Sequence, residues 1–233
     1  QTLDKLIESA SKNDNPTVAI AAASDQEVLK AVEYSLEKSL ATFILFADEK
    51  QLLPLLEQHF PNMKNHENII IRHTTSNEEA ALEAVKSVSS GEAHVVMKGN
   101  LPTATILKAV LHKEFGLRTG NVFSHVAAFE VPGYDKLFFV MDAAMNIAPE
   151  LKEKVQIIDN AVQAARACGV EQPVVAPLAA VETINPAMQP TLDAASLVLM
   201  NQRGQIKNCV VDGPLALDNA ISLEAAAQKG LKS

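Results

Sequence analysis

The sequence predicts an α/β fold of two α/β domains with mostly parallel sheets. Three observations carry that expectation. Apolar runs of strand length alternate with helix-period stretches through the first half of the chain. The apolar content is aliphatic: hydrophobic residues make up 48% of 233, aromatics only 4%, and Trp is absent. That mix suits helices packed on a buried parallel sheet better than a sandwich. Near residue 120 the rhythm changes, because two strand-like runs follow each other too closely for a parallel crossover.

The elements follow in order. Thr17 to Ala23 reads as a buried strand, and Ser24 to Glu27 supplies an S-x-x-E capping box for a helix carrying Val28, Val32 and Leu36 on one face. Thr42 to Ala47 is the second strand, with Asp48 placed to cap a helix over 49–59. Asn68 to Arg72 is the third. Ser76 to Glu79 is another capping box, ahead of Ala81, Val85 and Val88. His94 to Met97 is the fourth strand. A helix is predicted over Pro102 to Phe115, with Pro in its first turn and Gly116 just past its end. Val122 to Glu130 and Lys136 to Met141 form a β-hairpin across residues 131–135. The hairpin marks entry into the second domain, so the division is 1–120 and 121–233. Then come a helix over 150–167 ending before Gly169, an apolar run over 174–180, a helix near 187–200, a strand over 208–211, and a helix from Pro214 to Gln228.

The formal net charge is −8, from 20 basic and 28 acidic residues. A chain of this sign does not attract nucleic acid or an anionic membrane surface as a whole. No stretch approaches the roughly 18 apolar residues of a membrane span, and the opening residues lack a signal-peptide layout. Cys168 and Cys209 lack metal-ligand spacing and sit in apolar surroundings, as buried free thiols do. The expectation is a cytoplasmic chain.

Ligands of open α/β sheets gather at the carboxyl ends of strands, and three loops there carry chemistry. Lys98-Gly99-Asn100-Leu101-Pro102-Thr103 leaves a strand and opens a helix. Gly99 permits close backbone approach, Lys98 adds a cation, and Asn100, Thr103 and Thr105 add hydrogen-bonding groups beside unsatisfied first-turn amides. The Walker spacing is absent. The loop is either an anion cradle or a strand-to-helix turn with a solvated lysine. In the second loop, Asp142 follows the apolar run Leu137 to Met141, so burial would raise its pKa. Alternatively, Asp142 or Asn146 orders its own loop. The third loop holds Asp212, which closes a strand, and Asp218, about a turn into the next helix, where Asp is locally unfavourable. These two carboxylates could bind a metal, act as acid and base, or cap. Ser124 and His125 are adjacent on a predicted strand and point to opposite faces, so they cannot act as a dyad. The scattered histidines form no metal site.

Five blocks together resemble the phosphate acetyl/butyryltransferase family, in particular its phosphate butyryltransferase branch. They are Val96 to Ala104, Gly120 to Glu130, Asp142 to Pro149, Asn185 to Gln189 and Val211 to Ala220. The resemblance implies two α/β domains around a cleft, similar to isocitrate and isopropylmalate dehydrogenases, and a homodimer. It implies reversible transfer of a short acyl group, butyryl or branched-chain, between CoA and inorganic phosphate. CoA is then a substrate, and no cofactor or metal is bound. The residues it places around substrate are Lys98, Gly99, Asn100, Thr103, Ser124, His125, Asp142, Asn146, Asn185, Asp212 and Asp218. The family's Ser-Arg pair and downstream Asp belong to a C-terminal segment that would begin where this chain stops, so the catalytic residues are expected beyond Ser233. The alternatives are a phosphate acetyltransferase, a non-catalytic acyl-CoA-binding protein, or a dehydrogenase of the related fold. The last lacks the G-x-G-x-x-G fingerprint here. Residue spacing does not reveal chain length, since one methylene in a pocket is worth only about 1–3 kcal/mol.

Overall fold

Alternate residues of the first two strands feed two different cores in the computed structural model, which describes residues 2–231. The strands β1 (Thr17–Ala21), β2 (Thr42–Ala47), β3 (Ile69–His73) and β4 (Val95–Lys98) form a parallel sheet in the order β3-β2-β1-β4. A helix α1 (Leu3–Ala10) precedes them, and α2 (Gln26–Glu37), α3 (Glu49–His59) and α4 (Asn77–Ser89) make the crossovers. Ala19, Ala21, Ile44 and Phe46 cluster with Ala80, Ala84 and Val85 of α4. Ile20, Phe43 and Leu45 cluster with Leu29, Val32, Leu52 and Leu56 of α2 and α3. Helices on both faces explain why these strands are apolar throughout.

Helix starts follow local capping, with two departures from the expected pattern. Asp25, not Ser24, caps α2 by accepting from the Val28 amide at 3.0 Å. Both residue types cap well, and α2 begins one residue later than the S-x-x-E pattern requires. Ser76 caps α4 as expected, but Glu79 reaches the amide and hydroxyl of Thr75, both at 2.6 Å. After β4 comes α5 (Thr103–Val110), which stops well short of Phe115. The chain folds back there: the Leu117 amide donates to Val110 O at 2.7 Å, Gly116 N donates to His112 O, and His112 stacks on Phe115 with centroids 3.7 Å apart. Pro102 is the N-cap, outside the first turn, so the helix begins one residue later than predicted.

The chain forms two compact units, Asp4–Gly120 and one that takes in the residues from Asn121 onward. In the latter, β5 (Val126–Glu130) and β6 (Leu137–Met141) are an antiparallel pair. The hairpin forms, but its first strand starts four residues late, so Ser124 and His125 lie outside it. Next come α6 (Leu151–Ala167), β7 (Val174–Val175), α7 (Gln189–Gln202) and β8 (Val210–Val211), with β7 and β8 parallel. Ile158, Val162, Val175, Leu197, Ile206 and Val211 form the core between them. The predicted final helix is two helices, α8 (Leu217–Ile221) and α9 (Leu223–Gln228). Ser222 is extended and caps α9 through the Ala225 amide, which breaks the run. Cys209 is buried and Cys168 half-buried, both as free thiols. Among the described residues, no helix is long and apolar enough to cross a membrane.

Candidate functional site

The Lys98 loop is built by extension of the β1–β4 ladder. The Gly99 and Asn100 amides donate to Ala21 O at 2.8 Å and Ala22 O at 2.9 Å. The backbones are so close that a Cβ at Gly99 would lie 2.2 Å from Ala22 O. Glycine is therefore required by crowding. The same bonds correct the expected cradle: the amides of Gly99 and Asn100 are spent on carbonyls, and that of Leu101 on Gly99 O. What remains for an anion is the Lys98 ammonium, which reaches Gly99 O at 3.3 Å, together with the amides of Thr103 and Ala104. Those two have no partner among the described residues, because the N-cap is Pro102 and brings no capping side chain.

Asp142, Asn146 and the His125 amide meet in one hydrogen-bonded turn, and Ser124 next to it is held from α6. Asp142 accepts from the amides of Ala144 at 3.0 Å and Met145 at 2.8 Å, and from Asn146 Nδ2. Burial pushes its carboxyl up, but the Ala144 and Met145 amides, the Asn146 carboxamide and the His125 amide outweigh it and hold the group below the ordinary carboxylate range. The expected rise is thus reversed, because turn geometry supplies donors that the apolar neighbours conceal. Asn146 Nδ2 also donates to Phe123 O at 3.0 Å, so both its protons are committed. Ser124 Oγ accepts from Asn160 Nδ2 at 2.8 Å, which leaves its own proton free to donate. Asn160 also reaches Val122 O, and Gln156 accepts from the Val122 amide at 2.6 Å. Sequence reasoning missed both α6 residues; their spacing of four, beside the apolar Ile157, Ile158 and Ala161, is the signal that could have found them. With Ser124 and His125 outside β5, strand alternation does not apply to them. The His125 side chain makes no hydrogen bond or ion pair among the described residues.

Asn185 lies in a separate turn that precedes α7. Its Oδ1 accepts from the Ala187 amide at 3.0 Å, leaving Nδ2 without a partner among the described residues. Thr191, fully buried, accepts from the Asn185 amide at 2.9 Å and shares its hydroxyl proton between Asn185 O and Met188 O. We expect Thr191→Val to cost about 1–2 kcal/mol, measured by urea unfolding, because those backbone groups lose their partner while shape is kept. Asp193, two residues on and buried, accepts from Lys154 Nζ at 2.7 Å and Gln189 Nε2 at 2.9 Å.

The last two predicted residues are not gathered with these. Asp212 has an exposed side chain, and its amide continues the β7–β8 ladder to Val175 O. Asp218 lies not in a helix interior but in the first turn of α8, where a carboxylate is favoured, and it pairs with Lys229 at 3.2 Å. Lys229 also reaches Glu182 at 3.4 Å. Local electrostatics accounts for Asp218. Among the described residues, no three His, Cys, Asp or Glu side chains gather as a metal site.

A polar cleft of about 320 Å³ lies over the carboxyl ends of the first three strands. Ser24, Asp48, Thr74 and Ser76 line it, and Asn100 brings the Lys98 loop to its wall.

Residues 54–233 match the family model described as "Phosphate acetyl/butaryl transferase". A Bacillus subtilis protein named as a probable phosphate butyryltransferase is 51% identical over 227 residues, 97% of this chain and 74% of the relative. A phosphate butyryltransferase of Clostridium beijerinckii is 47% identical over 231 residues, 99% of this chain and 76% of the relative. The crystal structure of a branched-chain phosphotransacylase from Enterococcus faecalis superposes with a TM-score of 0.77 at 32% identity, over 94% of this chain and 75% of that one. The Lys98, Asp142 and Asn185 loops thus stand on a scaffold shared with acyl-transferring proteins, and the chain belongs to the phosphate acetyl/butyryl transferase family.

Proposed function

We propose that this chain carries out reversible acyl transfer between a short-chain acyl-CoA and inorganic phosphate, with a butyryl or branched-chain acyl group as the group transferred. The observation that carries the reading is the Lys98 loop, which bears an ammonium and leads into two unspent amides at the start of α5. This is a site for an oxyanion on a scaffold shared with butyryl- and branched-chain-transferring relatives. A phosphate oxygen attacks the thioester carbonyl carbon, the tetrahedral intermediate carries an oxyanion, and the C–S bond breaks to release CoA as thiolate. Lys98 offsets phosphate charge. Within the unit from Asn121 onward, the donors left unspent are the Ser124 hydroxyl, which accepts from Asn160, and Asn185 Nδ2. Asn146, with both amide protons spent, is an orienting group, and so is Asp142. A homodimer and a cytoplasmic location belong to the same reading, on the strength of the family resemblance.

Lys98→Ala removes a charge-assisted contact worth about 1.5–3 kcal/mol. We expect its KM for phosphate to rise at least tenfold, with a much smaller change in KM for butyryl-CoA, in steady-state assays of thiol release. A phosphate KM within twofold of wild type would remove Lys98 from the site.

A further inference from the structure

The cleft over β1, β2 and β3 lacks the cation of a phosphate site. No Lys, Arg or His lines it. The helix N-termini that face it are satisfied in part: Asp48 accepts from the Lys50 amide at the start of α3, and Ser76 from the Glu79 amide at the start of α4. The Asp48 carboxylate on its wall opposes an anion.

Its unspent groups are of another kind. Gln51, Asn77 and Asn100 present carboxamides along the wall, and none has a hydrogen-bond partner among the described residues. Ser24, displaced from its capping role by Asp25, leaves an Oγ that no protein group meets. Between them, the nearly buried Ala22, Ala47 and Ala80 form the small-residue floor of the cleft. A carboxamide offers a donor and an acceptor side by side, the pattern that matches the amino group and adjacent ring nitrogen of adenine. The volume of about 320 Å³ falls at the lower end of small-molecule sites.

We infer that this cleft holds the adenine base of coenzyme A, with Gln51 and Asn77 reading its edge. The phosphates of CoA stay outside, away from Asp48. The assignment rests on the acyl-CoA reading above and adds to it a subsite formed by β1 to β3 and the loops that follow them.

The test uses the full-length protein with Gln51 and Asn77 both replaced by Leu. Both side chains are exposed, so folding is spared. Two lost hydrogen bonds to neutral groups correspond to about a tenfold loss. We expect KM for butyryl-CoA to rise about tenfold and KM for butyryl-pantetheine, which has no adenine, to stay within twofold. If both KM values rise together, or neither moves, the assignment is overturned. Calorimetry with the adenosine bisphosphate half of CoA separates this failure from failure of the acyl-transfer reading. Binding by wild type that weakens tenfold in the double variant supports the adenine site even where no thiol is released. Equal affinity in the two proteins overturns it.

Discussion

Gly99→Ala is expected to destabilise the protein by about 3 kcal/mol, among the larger effects of adding one methyl group to a packed site. The added Cβ would lie 2.2 Å from Ala22 O, 2.5 Å from Ala21 O and 2.8 Å from Ala22 C. All three are backbone atoms at the end of β1, whose neighbours Ala19 to Ala21 are sealed in the core, so nothing nearby can swing aside. Relief requires β4 to separate from β1, and that breaks the Gly99 and Asn100 amide bonds to Ala21 and Ala22. The same movement displaces Lys98 and Asn100, so phosphate affinity falls along with stability. Gly91→Ala is the control. Gly91 has φ +84, and a Cβ added there would meet nothing within 4 Å, so the variant bears only the conformational penalty of about 1 kcal/mol. Urea unfolding of both variants checks the difference. A Gly99→Ala loss no larger than that of Gly91→Ala would show that the two strands are not packed as described.

Asp193→Ala is expected to cost about 2–3 kcal/mol. Breaking a buried ion pair by removing one partner costs about 3–5 kcal/mol, and the figure is reduced here because the Lys154 side chain keeps 25% of its exposure. Asp193 ties α6 to α7 through Lys154 and also holds Gln189, so its loss loosens the helix that presents the Asn185 turn. Burial pushes the Asp193 carboxyl up, but the Lys154 and Gln189 hydrogen bonds and the Lys154 charge bring it below its ordinary value of 3.8. The unfolded chain therefore takes up this proton at higher pH than the folded one does. The contribution is fully present above the ordinary value and is lost as pH falls through the lower folded value. Asp193→Asn, which keeps an acceptor for Gln189, removes that share of the acid dependence. Its stability deficit at pH 7 is expected to shrink toward pH 3, as measured by urea midpoints across that range. A constant deficit would contradict the ion pair.

The strands were legible because burial on both faces leaves a continuous apolar run, as in Val18 to Ala23 and Thr42 to Ala47. The hairpin was legible because a five-residue connection allows little else. Helix ends were less so. The stop at Val110 depends on the return bonds from Gly116 and Leu117 and on the His112–Phe115 stack, none of which periodicity records. Side-chain roles were harder still. Apolar neighbours pointed to a raised Asp142, whereas four hydrogen-bond donors within the turn and from His125 decide the outcome. Gln156 and Asn160 look like part of a solvated helix face until Val122 and Ser124 are seen against them. The carboxamides of Gln51, Asn77 and Asn100 are far apart in sequence, and only the parallel order of the strands brings them to one cleft.

Acyl transfer to phosphate is tested by following free thiol from butyryl-CoA with the full-length protein while phosphate is varied. Release is expected to be absent without phosphate, to saturate with it, and to yield one butyryl phosphate for each CoA. Thiol release that is independent of phosphate, or no release from any short acyl-CoA by the folded protein, would contradict that chemistry.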